Sequence, residues 1–550
     1  MSATAEIKSA EFLTSGVVRL TRSQLIGTMA GLMLGMLLAA LDQTIVGTAE
    51  PKIIARLSGF DRYPWVSTTY LLTSTISVPI FAKLSDIYGR KWFFLGASVL
   101  FVFASALCGA SGNLNFLGID GMNQLVVFRG LQGVGGGMLM ALAFTIIGDI
   151  FSPAERGRYQ ALFSAVWGAA SVLGPTLGGW LTDKISWRAV FYVNLPVGVI
   201  ATAAIFFAFP DFHPQGVKKH LDWAGTLSLI GCMVPLLLAL TWVTNYGWTS
   251  TRVGSLLAFA LGMLVVFIYV ESRAAEPLLP LSLFSDPVIA VSSLAMFILG
   301  MGMFGVIVYL PLFMQGVMGV SATRSGNLLL PLMLGVVVGS ALSGQTISRL
   351  KSYKPSVWFG SVVIALGMIL FARMDASTHQ PEVLRGMILS GLGMGFVMPA
   401  YTVAVQNAAP RKHMGAATSS SMFFRSIGST LGVAIFGSIL LVNYNRDFGS
   451  AVPPGVPPEA IRPFWNPLML TQFRGQLEQA FGRLPGGADL LRGLYGNVRF
   501  ALVHGLKLIF ISSAVLMAAA TLLNFFLRDV PLRSHAHSAE PAPPVIDNMI

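Results

Sequence analysis

Residues 26–48 read IGTMAGLMLGMLLAALDQTIVGT, a stretch whose one charged side chain is Asp42. At 1.5 Å per residue, about 20 apolar residues cross a hydrocarbon layer of roughly 30 Å. Lipid offers no partner for a backbone N–H or C=O, so a run of this kind must be a helix that satisfies its own backbone. A membrane β-barrel would instead need segments of about 10 residues with alternating polarity, and the sequence has none.

The same pattern recurs along the chain. Comparable runs at 64–84, 93–112, 123–150, 158–182, 187–209, 223–244, 252–271, 287–315, 326–348, 356–374, 384–408, 414–442 and 500–527 predict fourteen spans in all. Over 550 residues, 54% are hydrophobic and 11% charged, against about 25% charged in soluble domains. That is too little polar surface to cover a soluble core. The expected class is therefore an all-α polytopic membrane protein.

Charge sets the orientation. An even number of spans puts both termini on one side. That side carries eighteen Lys and Arg in its loops and tails, against nine in the short loops opposite. The positive-inside rule then makes both termini cytoplasmic and the location a cell membrane. The net charge of +12 reads as topology and attraction to anionic lipid, not as a nucleic-acid surface. Cys108 and Cys232 lie inside apolar runs and suggest neither a disulfide nor a metal site. Residues 1–24 are polar and the first apolar run is too long for a signal-peptide core, so no cleavable signal is expected. The tails, 1–24 and 529–550, read as cytoplasmic and disordered. The 443–499 loop opens Pro- and Gly-rich, then spaces Leu470, Phe473, Leu477, Phe481 and Leu484 as one face of an amphipathic helix. That helix would lie on the outer surface of membrane or protein, where an envelope-spanning partner could dock.

Several short motifs stand in order. The first span ends LDQTIVGTAEPKI (41–53), and a loop reads AKLSDIYGRK (82–91). The fourth span carries FRGLQGVGGG (128–137), and the fifth LGPTLGG (173–179), followed by SWRAVFYVNLPVG (186–198). The second half adds LPLFMQGVMGVSATRSGNLLLP (310–331) and GLGMGFVMPAYTVAVQNAAP (391–410), leading into FFRSIGSTLGVAIFGS (423–438). Together they resemble the major facilitator superfamily and, within it, the fourteen-helix drug:proton antiporter family (EmrB/QacA-like multidrug exporters). The resemblance covers nearly the whole chain outside the tails and the 443–499 loop. It implies two six-helix bundles, 25–210 and 281–528, with two extra transmembrane helices in the 211–280 linker. It also implies alternating access, with the proton as coupling ion, no cofactor, and small lipophilic substrates. Ala82, Ala161, Ala170 and Glu50 depart from the family pattern, Glu50 most, because an apolar residue usually precedes that proline.

The residues support this reading on their own terms. Asp42 lies deep in an apolar run, where an ionised carboxylate is costly, and a group able to switch between neutral and charged is what a proton-coupled carrier needs. Arg129 keeps its proton, so it must be paired or meet water. The resemblance implies that it lies near Asp42 and tunes it. Glu50, two turns further along, fits a second titrating group, an attraction for cations, or a plain interfacial carboxylate. Asp86, Arg90 and Asp149 form a charged cluster on the cytoplasmic side, fitted either to gating or to anchoring, and the resemblance favours gating. Gly174, Pro175, Gly178 and Gly179 remove bulk and introduce a kink where helices approach. Weaker candidates for the substrate cavity are Gln43, Tyr70, Gln132, Trp167, Gln315, Tyr401, Gln406 and Asn407; each could equally hold helices together. Arg425 has the same ambiguity. QGVGGG follows no strand and no Gly-Lys pair occurs anywhere, so a nucleotide-driven pump is not expected. HExxH and GxSxG are also missing, and no enzyme is expected. Two further readings stay open: a dedicated exporter of one metabolite, peptide, siderophore or lipid, and a membrane sensor or scaffold that transports nothing.

Overall fold

The computed structural model describes residues 20–114, 118–151, 153–211, 222–274, 277, 279–410, 414–452, 461–465, 467, 477–479, 481 and 487–530. In chain order its main helices are α1 (Arg22–Leu57), α2 (Tyr63–Tyr88), α3 (Arg90–Ala110), α4 (Gly121–Ile150), α5 (Pro153–Lys184), α6 (Ala189–Tyr192), α7 (Asn194–Ala208), α8 (Trp223–Tyr246) and α9 (Thr251–Arg273). They continue with α10 (Pro287–Leu312), α11 (Ala322–Leu350), α12 (Lys354–Ala372), α13 (Gln380–Ala408), α14 (Met414–Ser450) and α15 (Gly487–Leu523). No strand occurs among the described residues. Among the described residues twelve spans are long and apolar enough to cross a membrane, so the expectation of fourteen stands at about twelve on length and composition. The two that fall outside, α2 and α5, have 26 and 32 residues. α2 carries a run of Ser and Thr, and the side chains over the first turns of α5 lie outside the described residues.

Two boundaries differ from the sequence reading. The first helix does not stop near residue 48 but runs through Pro51 to Leu57, where Ser58 closes it in a left-handed conformation (φ 55°). Pro51 costs the helix one hydrogen bond, that to the Gly47 carbonyl, without ending it. Glu50 and Lys52 are therefore helical residues. The outer loop is also shorter than 443–499, because α14 continues to Ser450 and α15 begins at Gly487.

Helices α1 to α7 pack mainly on one another, as do α10 to α15. The two sets meet where α5 lies along α11 and α2 along α14. The extra pair, α8 and α9, seats Leu229, Met233 and Leu237 against Leu72 and Ile76 of α2 and Ala434 of α14. The other side of α9 turns Phe259, Leu261 and Val265 outward, the surface a helix shows to lipid rather than to water. For reference, the end of the bundle where α1 starts is the near end, and the end where α1 stops is the far end.

The far end is rich in built contacts. Asp120 caps α4 through the N–H groups of Met122 and Asn123 and accepts from Arg62 at 2.8 Å. Desolvation works against its charge, but the Asn123 N–H and the Arg62 guanidinium outweigh that and hold the carboxyl below the ordinary carboxylate range. Tyr444 stands between Phe60 of the first set, at 5.2 Å, and Phe448, at 5.9 Å. Its hydroxyl donates to the Phe464 carbonyl at 2.6 Å, and Phe464 packs on Phe481 at 6.0 Å. Leu477 and Phe481, the two described members of the expected amphipathic face, are buried in this cluster. They cover protein, not membrane. Leu470, Phe473 and Leu484 lie outside the described residues.

Candidate functional site

Five helices converge on Asp42, about midway along α1. Its side chain is 0% exposed and that of Arg129, from α4, is 2% exposed. Arg129 Nη1 donates to Asp42 Oδ2 and, at 2.8 Å, to Gln132 Oε1. Gln132 Nε2 donates to Asp42 Oδ1 at 2.8 Å, and Asn194 Nδ2, from the start of α7, does the same at 3.1 Å. Ser105 of α3 accepts from both amides, at 3.1 and 3.0 Å. Arg129 also donates Nε–H to the Val66 carbonyl of α2 at 3.3 Å, and its guanidinium lies 4.2 Å from the Tyr70 ring centre. Both carboxylate oxygens are thus filled by donors, which is how a buried charge becomes tolerable. Asn194 and Ser105 were not singled out from the sequence. A polar Asn inside the apolar stretch FYVNLPVG is the signal that could have found Asn194.

A small cavity of about 50 Å³ lies beside this network, between the two helix sets. Gln43, Thr48, Ser67, Tyr70 and Arg129 line it from the first set, and Phe304, Ile307, Pro311 and Met333 from the second. Of the candidate cavity residues, Gln43 and Tyr70 are on its wall. Gln132 belongs to the Asp42 network, and Trp167 packs beside Ala40, Leu41 and Ala170. Gln315 donates to the Thr48 carbonyl at 3.0 Å and so ties the two sets together. Tyr401 donates to Asn524 at 2.5 Å and Asn407 to the Val530 carbonyl at 3.1 Å, so both bind the end of the chain instead of the cavity. Gln406 is half-buried beside them on α13. Arg425 is held within α14 with no ion pair among the described residues.

The far end of the cavity is closed. Gly178 faces Ile45 and Thr48 of α1, and Gly179 faces the backbone of Ala322 and Thr323 on α11. Across the same seam Gly326 of α11 lies on the Pro175 carbonyl, and Gly174 lies against Thr44. A side chain at Gly179 or Gly326 would collide with backbone, so the helices approach this closely only because these positions are bare. Asp183, at the end of α5, accepts from Lys52 and from the N–H and hydroxyl of Thr323, at 2.6 and 2.5 Å. Tyr63 stacks on Tyr309 at 5.5 Å and donates to the Val308 carbonyl at 3.3 Å. The Lys52–Asp183–Thr323 latch was invisible in sequence, since each member reads alone as an interfacial residue.

At the near end Arg90 is buried and donates to Ser85 Oγ at 2.6 Å. The side chains of Asp86 and Asp149, the other members of the expected gating cluster, lie outside the described residues, as does that of Ala161.

Comparison with known proteins agrees with this architecture. The family model of the Major Facilitator Superfamily matches residues 32–433. Multidrug transporter protein MdtP of Bacillus subtilis (strain 168) is 37% identical over 522 residues, covering 91% of this chain and 93% of its own. Multidrug resistance protein 3 of the same organism is 38% identical over 413 residues, 74% of this chain and 78% of its own. Among solved structures, a bacterial homolog to the human lysosomal transporter Spinster, in its inward-facing and unoccupied conformation, aligns with a TM-score of 0.62. It is 16% identical over 93% of this chain and 99% of that one, a likeness of fold. With the family match running from α1 into α14, this multi-pass membrane protein belongs to the Major Facilitator Superfamily, a family of transporters and not of enzymes.

Proposed function

We propose that the protein is a proton-coupled exporter of lipophilic, mainly cationic compounds, working by alternating access. In this reading it has fourteen spans, α2 and α5 included, as two six-helix bundles and an extra pair. Both termini are cytoplasmic and the location is the cell membrane, so the near end faces the cytoplasm. The observation that carries the reading is the Asp42–Arg129 pair, fully buried at mid-membrane and reached from the cavity through Arg129 and Tyr70. The names of the relatives, a multidrug transporter and a multidrug resistance protein, support the substrate class.

The cycle follows from the network. With the far end shut, Asp42 holds three donors and is ionised. When the far end opens, a proton from outside neutralises Asp42, loosens Arg129 and lets the substrate leave. On return to the closed far end the proton passes to the cytoplasm and the next compound enters the apolar cavity. For a neutral compound the proton's charge moving through 100 mV supplies about 2.3 kcal/mol; for a monovalent cation exchanged against one proton no net charge moves and the pH difference drives export.

In cells, Asp42→Asn is expected to abolish resistance to lipophilic cations beyond any fall in abundance caused by leaving Arg129 without its partner. The comparison is of growth under drug with membrane levels measured in parallel. Undiminished resistance in Asp42→Asn sinks the coupling role.

A further inference from the structure

Glu50 sits eight residues beyond Asp42 on α1, about 12 Å further toward the far end. It is completely buried. Ser67 Oγ of α2 donates to its Oε1, while Oε2 has no hydrogen-bond partner among the described residues. The contrast with Asp42 is sharp: there each carboxylate oxygen meets a donor, here one whole oxygen has none. A dry carboxyl with an undonated oxygen is best accommodated as the neutral acid, whose own O–H replaces the charge.

The neighbours leave it in that state. Tyr63 of α2, Tyr309 of α10 and Arg129 of α4 are the titratable or charged groups coupled to Glu50. Both phenols donate elsewhere, Tyr63 to the Val308 carbonyl and Tyr309 to the Val433 carbonyl at 2.9 Å. The guanidinium of Arg129 is engaged by Asp42, Gln132 and Val66. Lys52, on the same helix, is turned to Asp183 of α5, and Arg324 at the start of α11 donates to Gln380 at 3.0 Å. No cation therefore forms an ion pair with Glu50 among the described residues.

Its position joins the cavity to the seam. Ser67 lines the cavity on one side and bonds Glu50 on the other. Gly47 and Thr48, one turn back on the same helix, also line the cavity, and Pro51 leaves the Gly47 carbonyl without its helical donor. The Tyr63–Tyr309 stack, whose two phenols both feel the Glu50 carboxyl, holds the two helix sets together.

We propose that Glu50 is a second proton carrier of the cycle, a neutral acid under the far-end seam that gives its proton to the cavity through Ser67 when a lipophilic cation binds. This rests on the exporter reading above. For the transfer the Ser67 hydroxyl turns its hydrogen from Glu50 to cavity water and the carboxyl turns its O–H to Ser67 Oγ; the Glu50 O–H bond then breaks, Ser67 takes that proton and passes its own to the water, and the substrate's positive charge neutralises the carboxylate left behind. When the Tyr63–Tyr309 stack parts, Glu50 meets the far side and takes up a proton as the cation departs.

The test uses full-length protein in lipid nanodiscs with tetraphenylphosphonium as the probe. Infrared difference spectra on adding the cation should lose a protonated-carboxyl band in wild type, show no such loss in Glu50→Gln, and still show it in Asp42→Asn. A pH electrode should record proton release in wild type, none in Glu50→Gln, and slowed release in Ser67→Ala, which keeps the carboxyl. Glu50→Gln replaces a neutral acid by a neutral amide of the same shape, so its thermal stability should match wild type. A wild-type band and wild-type release in Glu50→Gln overturn the proposal. So does a marked fall in the stability of that variant, because it would mean that an ion had been removed. Gradient-driven dye export separates the two levels. If wild type exports and Glu50→Gln exports with unchanged proton dependence, only this proposal falls; if wild type exports nothing, the exporter reading falls with it.

Discussion

Arg129→Met is expected to be the most damaging single substitution in the protein. It leaves the Asp42 carboxyl at 0% exposure with amide donors and no cation, and stripping one partner from a buried ion pair costs about 3–5 kcal/mol. Thermal unfolding in detergent should show a large loss of stability, and transport should vanish with it. The double variant Arg129→Met/Asp42→Asn removes both charges. It should recover most of the stability, since replacing a whole buried pair by neutral groups is often close to neutral in energy. It should recover no export, because the group that changes charge has gone. That split separates structure from mechanism: a double variant that is stable and still exports would reduce the pair to scaffolding. A single variant as stable as wild type would mean that water reaches Asp42.

Gly326→Val acts at the opposite level, on the equilibrium between states. A Cβ at Gly326 runs into the Pro175 carbonyl, and backbone cannot step aside as a side-chain tip can. Overpacking of this kind costs about 1–3 kcal/mol, and only the closed far end bears it. The population should shift toward the open far end by about 5- to 150-fold. Spin labels at exposed positions 184 and 324, which flank the seam at the ends of α5 and α11, should report a longer distance than in the parent protein. Dye export should fall although Asp42 and Arg129 are untouched. An unchanged distance would show that α5 and α11 do not close on each other in the way described.

How much of this was legible in the sequence depends on what each residue had to reveal. Spans such as 93–112 and 356–374 follow from apolar length alone, because lipid leaves a backbone no alternative to the helix. The end of α1 did not follow, since Glu50, Pro51 and Lys52 look like an interface, and it is packing against α2, α5 and α10 that keeps the segment helical and Glu50 and Pro51 buried. Asp42 and Arg129 stood out because charge in an apolar run is costly. Their neighbours Asn194 and Ser105 did not, since an amide or hydroxyl acquires meaning only when a distant helix brings it within 3 Å of the carboxylate's partners. The same limit hid the latch of Lys52, Asp183 and Thr323, whose members are separated by more than a hundred residues. Tyr401 and Asn407 were open to two readings, cavity wall or helix contact, and their hydrogen bonds go to Asn524 and to the Val530 carbonyl.

The decisive measurement is transport by wild-type protein alone, reconstituted in proteoliposomes with an imposed pH gradient and a lipophilic cationic dye. Proton-coupled export predicts dye moving against its gradient, protons moving the opposite way, and both fluxes ceasing when the pH gradient is collapsed. Dye movement that ignores the pH gradient, or a proton flux that ignores the dye, would contradict it.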